Sequence, residues 1–233
     1  MTVFQYHDEI LQRFPSTIGG VIVGSGVQND VTPAELQTLY SREQEAVKAR
    51  LPENSLSELP ALAAWRTAFR QFGVEPTKYR CAAEALLRRL VKKGDIPSIN
   101  TLVDIGNLVS IRYALPVAVI DRRAVEGVLT VHFAEGTERY TELGHQEAIY
   151  PEVGEVVFTD EQKTVMARRW CWRQSEHSAA AADTTDILVT IEAHHAQGQA
   201  DVECAVQDML ALLQQYAGGV YTSAVLNAGN PSI

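Results

Sequence analysis

The sequence is poor in cysteine, and the three cysteines it has lie far apart. Cys81, Cys171 and Cys204 show no paired spacing in a chain of 233 residues. Zinc ribbons need closely spaced cysteine pairs, and disulfide-stapled secreted domains need several cysteines in a short chain. The spacing therefore argues against both classes and indicates reduced thiols in the cytoplasm.

Long apolar runs are also missing. No segment approaches the roughly 20 consecutive apolar residues that cross a bilayer. The first residues, MTVFQYHDEILQRF, include acidic side chains and lack the basic segment followed by an apolar one that marks a secretory signal. We therefore expect a cytoplasmic protein with no membrane partner.

Basic residues are outnumbered by acidic ones. The chain has 20 Lys and Arg against 29 Asp and Glu, a formal net charge of −9. Phosphate binding normally needs a basic surface, so this balance argues against a general nucleic-acid binder, and we expect no DNA partner. Positive charge is nevertheless concentrated in three clusters: Arg88, Arg89, Lys92 and Lys93; Arg122 and Arg123; Arg168, Arg169 and Arg173. Each cluster is either a solvated face or part of a binding surface that forms only if the clusters converge.

Apolar residues are plentiful, and their order along the chain predicts the fold class. They make up 46% of the residues and charged residues 21%, as in an ordinary globular protein with a core. Helical patterns come first, strand patterns follow, and one helix closes the series. This order predicts an α+β fold with a mixed, mostly antiparallel sheet flanked by helices. We expect an N-terminal strand and helix extension packed on the core (1–59), a main domain (60–220) and a tail (221–233), whose last residues, GNPSI, are expected to be loose.

Capping signals and periodicity set the expected elements. Thr32-Pro33-Ala34-Glu35 resembles a capping box that opens a helix to Arg50. A second helix is expected to start at Ser57 and to bury a stripe of Leu62, Trp65, Ala68, Phe69 and Phe72. The other expected elements are a strand over 18–24, helices over 79–93, 98–113 and 201–216, and strands over 117–120, 128–133, 155–158, 164–172 and 186–193.

The fourth expected helix carries a series of polar side chains. Asp104, Asn107 and Ser110 are three residues apart, which places them along one side of the helix. Apolar residues occupy its other sides, so an amide and a carboxylate there need a reason. Either they line a pocket, or they satisfy buried hydrogen-bonding groups and tie the helix to the sheet.

Several short motifs, in a fixed order, resemble one known family. They are Trp65, Phe69 and Gly73; Lys78-Tyr79-Arg80; Leu87-Arg88-Arg89; Ile96-Pro97-x-Ile99-Asn100-x-Leu102-Val103-Asp104-x-x-Asn107; Pro116 and Asp121; Gly154-Glu155-x-Val157-x-x-Asp160; Arg173-x-Ser175; and Asp183-Thr184-Thr185. Together they resemble the B3/B4 domain, the editing and tRNA-binding module of the phenylalanyl-tRNA synthetase beta subunit, which also occurs as stand-alone proteins. The resemblance covers about residues 60 to 215.

The resemblance implies a function at the aminoacylated 3′ end of tRNA, without a cofactor or metal and without a complete synthetase. Family members hydrolyse the ester of a wrongly attached amino acid. An activated ester needs only a positioned water and a stabilised oxyanion. By this resemblance Asn107 orients the substrate or water, and Asp104, Glu155 or Asp183 holds the amino-acid ammonium or polarises water. Substrate-binding residues are expected at Lys78, Arg80 and Arg173 for the terminal phosphates, and at Ser110, Ser175 and Thr185.

The sequence departs from the family at one important position. The synthetase loop carries a histidine where this chain has Ala118, although Pro116 and Asp121 keep their distances from Asn107. The resemblance therefore leaves three functions open: a deacylase acting in trans, a non-catalytic module that binds tRNA ends or a free amino acid, and a ligand-binding regulator without an RNA partner. Structural roles also remain open for the candidates, such as an ion pair of Arg173 with Glu155 or Asp160.

Other candidate sites have weaker support. Gly24-x-Gly26 lacks the third glycine and the immediate helix of a dinucleotide loop. Glu192, His194, His195 and His177 show no metal-ligand spacing, so no metal site is expected. Cys171 lies between Trp170 and Trp172, and all three are more simply explained by packing. Trp170 and Trp172 are expected to share a strand face, from which they could also stack on a terminal adenine.

Overall fold

The computed structural model describes residues 2–51 and 56–233. Its helices are α1 (Asp8–Arg13), α2 (Ala34–Arg50), α3 (Pro60–Gln71), α4 (Ala82–Lys93), α5 (Thr101–Tyr113) and α6 (Gly198–Tyr216). Its strands are β1 (Phe4–Tyr6), β2 (Ile18–Ser25), β3 (Val117–Asp121), β4 (Leu129–Phe133), β5 (Tyr140–Thr141), β6 (Ala148–Ile149), β7 (Val156–Thr159), β8 (Val165–Arg168), β9 (Arg173–Gln174), β10 (Asp186–Ala193) and β11 (Val220–Leu226). Single 3-10 turns occupy Leu56–Glu58 and Arg122–Ala124.

Two main sheets carry the fold. One has the order β11-β2-β10-β3 and is antiparallel throughout. The other has the order β1-β4-β7-β8-β9, in which only the β1–β4 pair is parallel. β5 and β6 form a small hairpin. The predicted α+β class with a mixed, mostly antiparallel sheet and flanking helices is confirmed.

β10 is buried on both faces, which the alternating pattern alone does not require. Ile187, Val189 and Ile191 form the expected apolar face and are fully buried. The opposite face carries Leu188, Thr190 and Glu192, which are also buried. An inner strand between two layers must bury both sets of side chains. A hydroxyl and a carboxyl are thereby placed inside the protein.

α5 lies directly on β3 because it presents a glycine there. A Cβ on Gly106 would come within 3.0 Å of Cγ2 of Val119. That distance is tighter than ordinary van der Waals contact, so a larger residue would push the helix from the strand. The close approach fixes where the next residue, Asn107, lies relative to the sheet.

The predicted helix starts need correction. Thr32 does not cap α2; Pro33 occupies the N-cap without a side-chain bond, and the Thr32 hydroxyl donates instead to Oδ2 of Asp104 at 2.6 Å. α4 begins at Ala82 rather than at 79, and α3 begins at Pro60 after a 3-10 turn rather than at 57. α5 begins after Asn100, whose side chain accepts from the Val103 amide, rather than at 98. The stripe predicted for α3 is confirmed as buried.

The long strand predicted over 164–172 is wrong. β8 ends at Arg168 because Arg169 and Trp170 adopt left-handed backbone conformations, with φ of 45° and 59°. Such angles are uncommon for non-glycine residues and need surrounding contacts to hold them. The Arg169 amide donates to Glu155, and the Trp170 indole donates to Glu192. Trp170 and Trp172 therefore do not share a strand face.

The expected loose C-terminal tail is also wrong. β11 pairs with β2 over seven residues, and the backbone of Ile233 exchanges hydrogen bonds with Phe4. β2 itself lies between β11 and β10. The N-terminal segment is thus built into the sheet rather than packed against it. The domain boundaries near residues 60 and 220 stay a prediction.

Candidate functional site

Two adjoining cavities open where the edge strands β3 and β9 meet. The larger, about 250 Å³, lies between α5 and β3, and we call it the amide pocket, lined by Val103, Gly106, Asn107, Val117, Val119 and Gln174. The smaller, about 70 Å³, we call the carboxylate cavity, lined by Ala118, Cys171, Trp172, Arg173, Thr190 and Glu192. Val117 and Gln174 line both cavities. The two spaces therefore share a wall.

Two amides supply the polar groups of the amide pocket. Asn107 is half-buried on the surface of α5 that faces β3. The Gln174 amide nitrogen donates to the carbonyls of Val119 at 2.7 Å and Ser178 at 2.8 Å, which fixes its side chain. The rest of the lining is apolar, with exposed Ile99 and Leu143 at its edge. Such a pocket favours an uncharged side chain with one or two hydrogen-bonding groups.

Glu192 places a carboxyl in the carboxylate cavity. Its Oε1 accepts hydrogen bonds from the Tyr6 hydroxyl at 2.7 Å and the Trp170 indole at 2.9 Å. Burial raises the pKa of Glu192 to about 7, although both hydrogen bonds act in the opposite direction. In the described part of the chain nothing donates to Oε2. The group can therefore hold or release a proton near neutral pH.

The position where the synthetase family has histidine opens into the same cavity. Ala118 on β3 is directly opposite Thr190 on β10. Both line the carboxylate cavity with Glu192. A methyl group at 118 leaves space and supplies no proton acceptor, so Glu192 is the ionisable group on this part of the wall.

Asp104 does not reach either cavity. It is fully buried and accepts hydrogen bonds from the hydroxyls of Thr32 and Ser98 and from the Ile99 amide. These bonds tie α5 to the segments before α2 and before α5. The geometry fits the structural alternative for Asp104 and not a role beside the substrate.

Glu155 likewise forms its contacts inside the protein, in a buried ion pair with Arg168. Its two oxygens accept from the Arg168 guanidinium at 2.8 Å each, and Oε1 also accepts from the Arg169 amide. Both side chains of the pair are nearly inaccessible. This bidentate pair holds the turn that follows β8, and it excludes the expected pairing of Arg173 with Glu155.

The remaining small polar candidates and Asp183 lie apart from the cavities. Ser110 donates to the Leu115 carbonyl and closes the turn after α5. Ser175 is buried against Ser178, and Thr185 donates to its neighbour Asp186. Asp183 is largely exposed and lies 3.3 Å from the Arg123 guanidinium. These residues stabilise turns or form surface pairs, and they do not line either cavity.

Two of the three predicted phosphate ligands, Lys78 and Arg173, gather near the mouth of the carboxylate cavity. Trp172 lies at the centre, with the guanidiniums of Arg169 and Arg173 each 4.8 Å from its ring centroid. Tyr79 meets Trp172 edge to face at 5.0 Å, and the Lys78 ammonium lies 5.1 Å from the Tyr79 centroid. Cations stacked on aromatic rings are attracted to the ring faces.

Acidic neighbours are present for Arg173 and for Arg80, the third predicted ligand. Arg173 forms its ion pair with Glu142, not with Glu155 or Asp160. Arg80 lies 3.8 Å from the buried Glu84 at the start of α4. We call Lys78, Tyr79, Arg80, Trp172 and Arg173 the cationic rim, because Trp172 and Arg173 line the cavity and residues 78–80 lie just before Ala82, which also lines it.

Sequence reasoning missed Glu192 and Gln174. Glu192 was considered only with the nearby histidines as a metal ligand, yet it is the single carboxyl in the apolar run ILVTIEA. That isolation was the available signal. Among the described residues no three His, Cys, Asp or Glu side chains cluster as metal ligands do. In the same part of the chain, no helix is long and apolar enough to cross a bilayer.

Comparisons with known proteins give one family match and two similar chains. The family model of the B3/4 domain matches residues 64–218, about two thirds of the chain. A phenylalanine–tRNA ligase beta subunit of Photorhabdus laumondii is 26% identical over 166 residues, which is 70% of this chain and 20% of that protein. An N-terminal fragment of the phenylalanyl-tRNA synthetase beta subunit from Pyrococcus horikoshii aligns in structure with a TM-score of 0.49 and 12% identity, covering 96% of this chain and 53% of the fragment.

The chain thus spans about a fifth of the curated relative it matches and about half of the solved fragment. The motif order predicted a B3/B4 relationship, and the family match confirms it independently. The match includes α5, β3, β9 and β10, the elements that line both cavities. The chain belongs to the B3/4 domain family.

Proposed function

We propose that this protein hydrolyses the ester of a mischarged aminoacyl-tRNA in trans. Its relative is a phenylalanine–tRNA ligase subunit, which makes the tRNA 3′ end a natural partner. The observation that carries the proposal is the buried carboxyl of Glu192 in a cavity beside an amino-acid-sized pocket. The carboxyl supplies a proton acceptor, and the neighbouring pocket supplies selectivity.

The volumes of the two cavities suit different parts of the substrate. An apolar protein cavity of about 150 Å³ can bind benzene. At about 250 Å³ the amide pocket has room for a branched or aromatic side chain, and Asn107 orients it or the α-amine. At about 70 Å³ the carboxylate cavity holds water but no amino acid. The scissile carbonyl is then located at the shared wall formed by Val117 and Gln174.

The chemistry requires one base and one water. The water oxygen attacks the ester carbon while Oε2 of ionised Glu192 takes its proton, and the Thr190 hydroxyl in the same cavity is available to the developing oxyanion. Collapse of the intermediate breaks the bond to the ribose oxygen, which takes up the proton and leaves as a hydroxyl. A pKa of about 7 leaves enough carboxylate for this step near neutral pH.

A second function is favoured by a different observation. Ala118 lines the cavity without a titratable group, and Trp170 and Tyr6 already occupy one oxygen of Glu192. These facts favour a non-catalytic module that binds aminoacylated tRNA ends or a free amino acid. Turnover separates the two functions.

The test is release of amino acid from a panel of mischarged and correctly charged tRNAs by the purified protein. We expect hydrolysis of at least one mischarged tRNA and a loss of roughly a hundredfold or more in Glu192→Gln, because a general base contributes that much. Glu35→Gln is the matched control, since it makes the same change on an exposed residue of α2. Its rate should equal that of the wild type.

Three outcomes decide between the functions. Binding without release at enzyme concentrations near that of the substrate would favour the non-catalytic module. Release that is equally fast in Glu192→Gln would remove the proposed base but not the hydrolase. Neither binding nor release across the panel would contradict both functions.

A further inference from the structure

Four cationic side chains are grouped on one side of α4 in a protein of net negative charge. Arg88, Arg89, Lys92 and Lys93 lie within about 140° of one another around the helix, at 100° per residue. Ala85, which is also exposed, lies in the middle of this arc. We call these four side chains the α4 basic face. The whole chain carries a net charge of −9, so the concentration is local.

The one acidic residue of α4 does not neutralise this face. Glu84 is fully buried and accepts hydrogen bonds from Arg66 and Arg88. Arg80 lies 3.8 Å from the same carboxylate. Three guanidiniums therefore surround one carboxylate, which leaves an excess of positive charge at the start of the face.

Ordinary helix energetics explain three of the four cations. Lys92 and Lys93 lie in the last turn, where positive charge interacts favourably with the helix dipole. Arg88 pairs with Glu84 four residues earlier, and Arg89 has neither explanation. The pairs Arg88–Lys92 and Arg89–Lys93 are four residues apart, where like charges repel. Bound anions would relieve this repulsion.

α4 begins at the candidate site, and its basic face lies farther along the helix. Ala82, the first residue of α4, lines the carboxylate cavity, and its amide donates to the Cys171 carbonyl at 2.8 Å. The cationic rim residues Lys78 and Arg80 immediately precede it. From Ala82 the helix runs about 17 Å to Lys93, at 1.5 Å per residue. The α4 basic face therefore lies about 9 to 17 Å along the helix from the cavity, on the same element that lines it.

We propose that the α4 basic face binds the phosphate backbone of the tRNA acceptor strand whose 3′ end enters the two cavities. This inference rests on the proposed function. From Arg88 to Lys93 the face is about 8 Å long at 1.5 Å per residue, which matches on the order of two phosphates at 3.4 Å each along one strand of a duplex. The contacts are to phosphates, so they supply affinity for any tRNA and leave selection of the amino acid to the amide pocket.

The experiment measures binding of deacylated full-length tRNA by fluorescence anisotropy across a range of salt concentrations. The variants are Lys92→Gln, Lys93→Gln and the double variant, because glutamine keeps helix propensity close to that of lysine. Each lost phosphate contact should lower the salt slope by about 0.9 and weaken binding roughly eightfold at 0.1 M salt. Arg139→Gln is the control, since it removes an exposed cation outside α4.

A second substrate separates this proposal from the proposed function. An amino-acid ester of the trinucleotide CCA reaches the cavities but is too short to reach Lys93. Its hydrolysis should be equal in the wild type and the lysine variants. If the ester is not hydrolysed at all, the hydrolase proposal fails, while the salt slope with tRNA still tests α4.

Two results would overturn the inference. One is a tRNA affinity and salt slope that do not change in the double variant, or that change equally in Arg139→Gln. The other is loss of binding to phosphatidylserine vesicles in the lysine variants while tRNA binding persists, which would assign the face to an anionic membrane. Equal melting temperatures of all variants would show that the readout is binding and not folding.

Discussion

Replacing the buried carboxyl of Glu192 should stabilise the protein in a pH-dependent way. Glu192→Gln keeps the size of the side chain and an oxygen that accepts from Tyr6 and Trp170. Burial raises the pKa of Glu192 from 4.5 to about 7. Between these values the folded state binds more protons than the unfolded state, so stability falls as pH rises through this window. The glutamine variant removes that penalty.

The size of the effect follows from the shift. One pKa unit corresponds to 1.36 kcal/mol, so a shift of about 2.5 units costs the wild type about 3 kcal/mol once the pH is well above 7. Part of the cost is already present at pH 5. We therefore expect the variant to gain about 2 to 3 kcal/mol on the wild type between pH 5 and pH 8.

Urea unfolding followed by tryptophan fluorescence at both pH values measures this difference. The contributions of other titrating groups to the pH dependence cancel in this difference, because the variant and the wild type share those groups. Glu35→Gln on the exposed surface of α2 should show no difference at either pH. A gain for Glu192→Gln that is the same at pH 5 and pH 8 would refute the reasoning, because it would mean that Glu192 does not titrate in this range.

Two further substitutions test structural roles. Arg168→Ala leaves the buried Glu155 without its bidentate partner and should lower the free energy of unfolding by about 3 to 5 kcal/mol in urea titration; a loss below about 1 kcal/mol would contradict a buried pair. Asp104→Ala leaves three donors unpaired and should cost about 3 kcal/mol, whereas Asn107→Ala at the pocket wall should cost less than about 1 kcal/mol. Equal losses in calorimetry would show that Asn107 is structural as well.

The sequence predicted the elements whose pattern is complete within one segment. The buried stripe of α3, the glycine that ends α4 and the full extent of β10 all follow from local periodicity and capping. Helix starts were less predictable because a partner elsewhere in the chain can take the capping group. Thr32 shows this, since its hydroxyl donates to Asp104, 72 residues away, and not to its own helix.

The candidate site was predicted in part. Asn107 lines the amide pocket, Arg173 lines the adjoining carboxylate cavity, and their roles in binding stay a prediction. The motifs did not show that Asp104 and Glu155 accept hydrogen bonds from other groups of the protein. A carboxylate in a short motif has the same sequence signature in both roles, because its partners come from other segments.

The chain by itself determined the class of fold, because the periodicity and turn residues of each segment depend only on the sequence of that segment. Only the tertiary structure decided which carboxyl faces a cavity. Glu192 meets Tyr6 from 186 residues away and Trp170 from across a turn held by left-handed backbone. Its burial and its raised pKa arise from those distant neighbours and from a strand enclosed on both faces, and no local pattern contains that information.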